Sequence, residues 1–95
     1  MSKEKPEEFY ARLKEQLAEN NSWPANYLYK FIIPTAADTA KEIHRIFDNT
    51  GAVIESKKSK NGKYTSVSIT VNMKNPDAVI KKYKEVGKIE GVISL

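Results

Sequence analysis

The side chains best suited to bind a charged ligand lie on both sides of an Asn-Gly pair. This hairpin cluster comprises Lys57, Lys58, Lys60, Lys63, Tyr64 and Ser66. Lysine ammonium groups bind phosphates and other anions, and a tyrosine ring can stack on a nucleic-acid base. The same pattern is typical of an edge strand that lysines protect against aggregation, which is the commoner reason for it. The hairpin cluster is therefore the candidate site for a partner or an anion, and both interpretations stay open at this point.

Serine chemistry is a second possibility, because Ser66, Ser68 and Thr70 alternate along one strand-like segment. A serine nucleophile needs a base within hydrogen-bond reach and a group that orients this base. The chain has a single histidine, His44, which falls on a polar helix face rather than beside these hydroxyl groups. We therefore expect no nucleophilic catalysis and interpret the hydroxyl groups as cross-strand polar pairs.

Metal and phosphoryl chemistry find no better support. The chain has no cysteine, and one histidine cannot form a histidine cluster for a metal. An acylphosphatase would share the strand order derived below, but it needs a cation in the loop after the first strand. That loop, residues 34–37, reads Pro-Thr-Ala-Ala, and the only arginines, Arg12 and Arg45, fall in predicted helices. We expect no enzyme activity, no cofactor and no metal.

Composition limits the remaining classes. Ninety-five residues suffice for one domain, and 40% hydrophobic with 29% charged residues is typical of a globular chain. No apolar run approaches the roughly 20 residues of a membrane span, so we expect a soluble cytoplasmic protein without membrane contact. Residues 1–21 hold four basic and five acidic side chains, and the rest hold twelve and seven. The basic remainder attracts polyanions only weakly and through a field that salt screens.

Periodicity and turn residues divide the chain into seven elements. The predicted helices cover Pro6–Asn20, Thr35–Asn49 and Asn75–Gly87, and the predicted strands cover Tyr27–Ile33, Ala52–Lys60, Lys63–Met73 and Val92–Leu95. Thr35 and Asp38 form a variant of the capping box, which predicts where the second helix begins. Asn61-Gly62 predicts a type I′ hairpin turn.

This order predicts an α+β fold, namely a ferredoxin-like βαββαβ two-layer sandwich. Its antiparallel sheet has the order 4-1-3-2 with two helices on one face. Residues 1–21 form an N-terminal helical extension, and residues 22–95 form the domain. Strand alternation turns Tyr29 and Val67 inward and leaves Leu28 and Ile32 outward.

The leading helix has an apolar stripe that needs a partner surface. Phe9, Leu13 and Leu17 recur every four residues along it. Apolar side chains on an otherwise polar sheet face, as at Leu28 and Ile32, suggest that something covers them. We therefore expect this helix to dock across the open side of the sheet, either in the same chain or in a second copy.

Three stretches also carry a family resemblance. They are Trp23-Pro24 with Tyr27-x-Tyr29-Lys30, the segment from Ser59 to Val71, and Tyr83-x-x-Val86-Gly87-Lys88-Ile89. Together they resemble the YbeD-like family of small, uncharacterised bacterial proteins, over about residues 23–95. The resemblance implies a ferredoxin-like core similar to ACT-type regulatory domains, and it brings no established activity.

We expect a non-enzymatic regulatory or adaptor domain that binds a protein partner or a small anionic metabolite. The contacts would come from the hairpin cluster and the outward strand face. The alternative is weak, sequence-independent nucleic-acid binding through the hairpin lysines, although Tyr64 is a single outward aromatic where RNA-recognition sheets use several. For the oligomeric state, we expect a monomer or a weak homodimer.

Overall fold

A computed structural model describes residues 5–36 and 38–94 of the chain. The helices are α1 (Pro6–Asn20), α2 (Thr39–Ile46) and α3 (Pro76–Gly87), and the strands are β1 (Ala25–Pro34), β2 (Val53–Lys58), β3 (Tyr64–Met73) and β4 (Ile93–Ser94). The predicted end of the last strand, Leu95, lies outside the described residues. All seven predicted elements are present, with ends that differ by a few residues.

The four strands form one antiparallel sheet in the order β2-β3-β1-β4, which confirms the predicted order. β1 pairs with β3 along its whole length, from Ala25 opposite Met73 to Pro34 opposite Tyr64. β2 lies on the other side of β3, and the short β4 pairs with β1 at Phe31 and Ile32. This topology fits a ferredoxin-like fold.

The core lies between the sheet and the helices, as strand alternation predicts. The side chains that are almost fully buried there are Tyr29, Phe31, Ile33, Ile43, Val67, Ile69, Val79 and Val86. Val71 and Met73 continue the inward row of β3. In α3, Asn75 caps the N-terminus by accepting a 2.9 Å hydrogen bond from the backbone N–H of Ala78.

The predicted docking of the first helix on the open side of the sheet is wrong within the chain, because α1 packs against α3 in the helix layer. Its buried contact is Leu17, supported by Leu13 and Tyr10, whereas Phe9 remains 44% exposed. The buried side of α1 therefore contains Tyr10 in place of Phe9. The centre of the Tyr10 ring also lies 5.5 Å from the ammonium group of Lys84.

Side-chain hydrogen bonds cap the C-terminal end of α1 in this position. The indole N–H of Trp23 donates a 3.1 Å hydrogen bond to the carbonyl of Leu17, and the Asn21 side-chain amide donates to the same oxygen. These bonds satisfy a carbonyl of the last helical turn and fix the angle at which the chain leaves it. An ion pair also joins α1 to α3, because the ammonium group of Lys14 lies 2.8 Å from a carboxylate oxygen of Asp77.

The second helix begins at Thr39, so the predicted start at Thr35 is wrong. Thr35 stays with the sheet: its backbone N–H donates to the carbonyl of Lys63, and its hydroxyl lies 2.8 Å from that of Thr65. Asp38 occupies the N-cap position without a side-chain capping hydrogen bond. Because Thr35 makes these two contacts with the sheet, it is not available as the capping residue of α2.

The hairpin between β2 and β3 is longer than the predicted two-residue type I′ turn. Gly62 has a φ of +76°, but Asn61 is not in the left-handed region that such a turn also requires. Instead, the Asn61 side-chain oxygen accepts hydrogen bonds from the Ser59 hydroxyl and the Lys63 backbone N–H, both at 3.0 Å. These local bonds stabilise a wider loop, as asparagine side chains do in turns.

Candidate partner-binding surface

The side of the sheet away from the helices is the candidate functional surface, which we call the open face. Its side chains follow from the strand register: Asn26, Leu28, Lys30 and Ile32 from β1; Val53, Glu55 and Lys57 from β2; Tyr64, Ser66, Ser68, Thr70 and Asn72 from β3; and Ile93 from β4. No described element packs over these residues. Leu28 is 49% exposed, Ile93 54% and Val53 60%, so apolar area on this face contacts water.

The open face is organised in rows that run across the strands. Val53, Thr70 and Leu28 form one row, because Thr70 lies opposite both of the others. The next row contains Glu55, Ser68 and Lys30, with opposite charges on the two sides of a serine. A third row runs from Lys57 through Ser66 to Ile32 and Ile93. Each row thus places a small hydroxyl side chain between two larger ones.

An open groove of about 380 Å³ lies between β2 and β3 on this surface. Glu55, Lys57, Ser66 and Ser68 contribute to its walls. The Ser66 hydroxyl donates a 3.3 Å hydrogen bond to the Lys57 carbonyl, which holds the two strands together at the groove. The groove therefore offers hydroxyl groups, one cation and one carboxylate.

The hairpin cluster is divided by the sheet. Lys57, Tyr64 and Ser66 belong to the open face, whereas Lys58 lies opposite the inward-facing Thr65. Lys60 and Lys63 stand on the exposed turn beyond the strands. The structure thus joins Lys57 and Ser66 at one groove and separates them from the other lysines of the cluster.

The structure does not bring His44 close to Ser66 or Ser68. His44 is exposed on α2 in the helix layer, while Ser66 and Ser68 face the opposite side of the sheet. In the part of the chain that the structure describes, no group of histidine, cysteine, aspartate and glutamate residues could hold a metal ion. Among the same residues, no helix has the length and apolar character that crossing a membrane requires.

A tyrosine cluster in the core was not anticipated from the sequence. The hydroxyl groups of Tyr27 and Tyr83 lie 2.8 Å apart, and the Tyr29 hydroxyl donates a 3.0 Å hydrogen bond to the Val79 carbonyl. Burial raises the pKa of Tyr29 and of Tyr83 well above the ordinary tyrosine value, because the phenolate form would be desolvated. The alternation of β1 predicts that Tyr27 and Tyr29 point inward. It does not predict their hydrogen-bond partners, Tyr83 and Val79, because these lie in α3.

Sequence reasoning also missed two members of the open face. Val53 and Ile93 expose more of their surface than Leu28 does, and they lie at opposite edges of the sheet. The parity of β2 and β4 could have indicated them, because each residue alternates with inward-facing neighbours. Their alignment with Leu28 and Ile32 depends on the register, which alternation alone does not fix.

These features define a class: a small α+β domain with ferredoxin-like topology, whose sheet has a mixed apolar and polar face not covered by the described residues. Residues 18–95 match the family described as "Protein of unknown function (DUF493)". The chain belongs to this family, in agreement with the YbeD-like resemblance.

Curated relatives and a solved structure support this assignment. UPF0250 proteins of Haemophilus influenzae strains PittEE and PittGG are each 32% identical to the chain over 86 residues, covering 87% of it and 89% of the relative. The solution structure of the hypothetical protein HP0495 from Helicobacter pylori has a TM-score of 0.60. It shares 20% identity and covers 81% of this chain and 99% of its own, so it shows the same fold.

Proposed function

We propose that the protein is a non-enzymatic regulatory or adaptor domain, similar to ACT-type domains, which binds a protein partner through the open face. The observation that carries this proposal is the exposure of Leu28, Val53 and Ile93 on one sheet face. Apolar side chains that share a face with polar ones are typical of the surfaces that proteins use to associate.

A small anionic metabolite is the second ligand that the geometry supports, because Lys57, Ser66 and Ser68 line one groove. An ammonium group with two hydroxyl groups can bind a carboxylate or a phosphate. Glu55 lines the same groove and repels an anion, so a protein surface that presents both charges fits it better.

Nucleic-acid binding through the hairpin lysines is the alternative. Lys60 and Lys63 are exposed on the turn, and Tyr64 is 49% exposed beside them. Sequence-independent binding of this kind depends on phosphate contacts and weakens steeply with salt. Because the lysines of the hairpin cluster are divided between the two sides of the sheet and the turn, few of them can contact the same nucleic-acid strand.

The test is partner capture with immobilised protein, comparing the wild type with Leu28→Ser and with the control Lys81→Ser. Lys81 is exposed on α3, on the other side of the molecule. We expect Leu28→Ser to lose the captured protein while Lys81→Ser keeps it, with little change between 50 and about 300 mM salt because the contact is largely apolar. Capture that survives Leu28→Ser, or that disappears with salt and nuclease treatment, contradicts the proposal.

A further inference from the structure

Two residues of opposite charge occupy equivalent positions on the open face, one on each side of β3. Lys30 and Glu55 both lie opposite Ser68, one on each side of β3. Because adjacent strands are about 4.8 Å apart, the two charged residues stand roughly 10 Å from each other across the row. Among the described residues, no ion pair joins the Lys30 and Glu55 side chains, so each charge remains available to an opposite charge above the sheet.

The neighbouring row repeats this arrangement with apolar side chains. Leu28 and Val53 both lie opposite Thr70, and both are about half exposed or more. In these two rows, a hydroxyl side chain of β3 thus lies between two residues that can contact each other favourably, an opposite-charge pair at Ser68 and an apolar pair at Thr70.

A two-fold axis that runs along β3, in the plane between two facing sheets, exchanges the two sides of that strand. It places β1 of one copy over β2 of the other. Lys30 of each copy then meets Glu55 of its partner copy, and Leu28 meets Val53. Such an isologous contact forms every pair twice, once on each side of the axis.

We propose that the open face binds a second copy of this chain, face to face, about a two-fold axis along β3. This inference rests on the proposed function, since it names the protein partner of the same surface. The charges favour a second copy because the face carries both members of the Lys30–Glu55 pair, at positions that the symmetry exchanges.

The groove between β2 and β3 fits the same arrangement. In the facing copy, the residues that lie above it are Lys30 and Ile32, because they share rows with Glu55 and Lys57. Glu55 in the groove wall accepts the ammonium group of the facing Lys30, and the aliphatic stem of Lys57 covers the facing Ile32. Ser66, Ser68 and Thr70 on the axis are small enough to let the sheets approach.

The size of the surface is compatible with a specific contact. β1 and β3 have 10 residues each, which makes the sheet about 33 Å long, and four strands about 4.8 Å apart make it about 19 Å wide. The open face therefore has roughly 600 Å² in projection, which is of the same order as the roughly 800 Å² of accessible surface that a standard interface buries on each partner.

The test reverses the charges one at a time and then together. The full-length wild type, Lys30→Glu, Glu55→Lys, the double variant and the control Lys81→Glu are compared by sedimentation velocity over a concentration series. Far-ultraviolet circular dichroism checks that each variant folds. We expect the wild type to dimerise and each single reversal to weaken dimerisation at least about tenfold, since like charges then face each other twice. The double variant restores opposite charges and should recover to within about threefold of the wild type.

A wild type that stays monomeric up to millimolar concentration overturns the inference, as does a dimer that the single reversals leave unchanged. A double variant that is no better than the singles also overturns it. These outcomes are separate from the test of the proposed function. A monomeric wild type that still captures a different protein, sensitively to Leu28→Ser, would leave that function standing with another partner.

Discussion

The Tyr29 hydroxyl is a buried polar group that β1 places in the core. It donates to the Val79 carbonyl at 3.0 Å, and its ring packs against Tyr27, Phe47 and Tyr83. A buried hydroxyl without a partner would destabilise the fold, whereas a bonded one fixes how α3 sits on the sheet. The hydrogen bond therefore adds direction to a contact that apolar packing alone would leave loose.

Replacing this hydroxyl tests its contribution. We expect Tyr29→Phe to lower the free energy of unfolding at pH 7 by about 1 kcal/mol, because one buried hydrogen bond is lost while the ring remains. The burial that raises the pKa of Tyr29 also sets the pH dependence: below about pH 10 both states are protonated, and above it the unfolded state loses protons that the native state keeps. Stability therefore falls as the pH rises above about 10, and it should fall less steeply in Tyr29→Phe.

Urea unfolding between pH 7 and pH 11 measures both effects. Tyr64→Phe is the matched control, because Tyr64 is exposed on the open face. An alkaline loss of stability that is equally steep in Tyr29→Phe and in the wild type would show that burial of this hydroxyl does not cause it.

At the scale of elements, the sequence indicates most of the sheet and misplaces one helix. The alternation in β1 and β3 predicts their inward faces, and the longer apolar inner rows of these two strands indicate their central position. A helical stripe, in contrast, shows that α1 needs an apolar surface but does not say which one. The packing of α1 on α3 and the Trp23 hydrogen bond at the helix exit depend on residues outside the stripe, so periodicity does not reveal them.

The candidate surface was predicted in the same uneven way. Parity alone exposes Leu28 and Ile32, so the existence of a mixed face follows from the sequence. The pairing of Lys30 with Glu55 across Ser68 does not, because it depends on the register of two strand pairs and on the length of the hairpin. The Asn61 side-chain bonds lengthen that hairpin beyond the turn that Asn-Gly usually forms.

The packing of α1 on the helix layer gives a direct test. Leu17 is buried and Phe9 is not, although both belong to the stripe that the sequence shows. We expect Leu17→Ala to lower the free energy of unfolding by about 2–3 kcal/mol, through lost burial and an unfilled cavity. Phe9→Ala should change it by no more than about 0.5 kcal/mol, since exposed substitutions rarely do more. Equal losses in the two variants, measured by urea unfolding, would mean that α1 packs through its predicted stripe after all.

In the whole molecule, the sheet separates two surfaces, and α1 contributes to one of them. One surface is the helix layer, which α1 completes by packing on α3. The other is the open face, which the described residues leave accessible. Because Leu17 and Leu28 lie on opposite sides of the sheet and share no neighbour, a change at one should not be felt at the other.

A double-mutant cycle with Leu17→Ala and Leu28→Ser tests this separation. We expect the two changes in unfolding free energy to add to within about 0.5 kcal/mol, as they do for distant residues without common contacts. Leu17→Ala should also leave capture by the open face unchanged wherever the variant is folded, because it loosens only the helix layer. A coupling of more than about 1 kcal/mol, or capture lost in folded Leu17→Ala protein, would mean that α1 and the open face act as one unit. Additivity would instead make α1 a support of the fold that leaves the binding surface free.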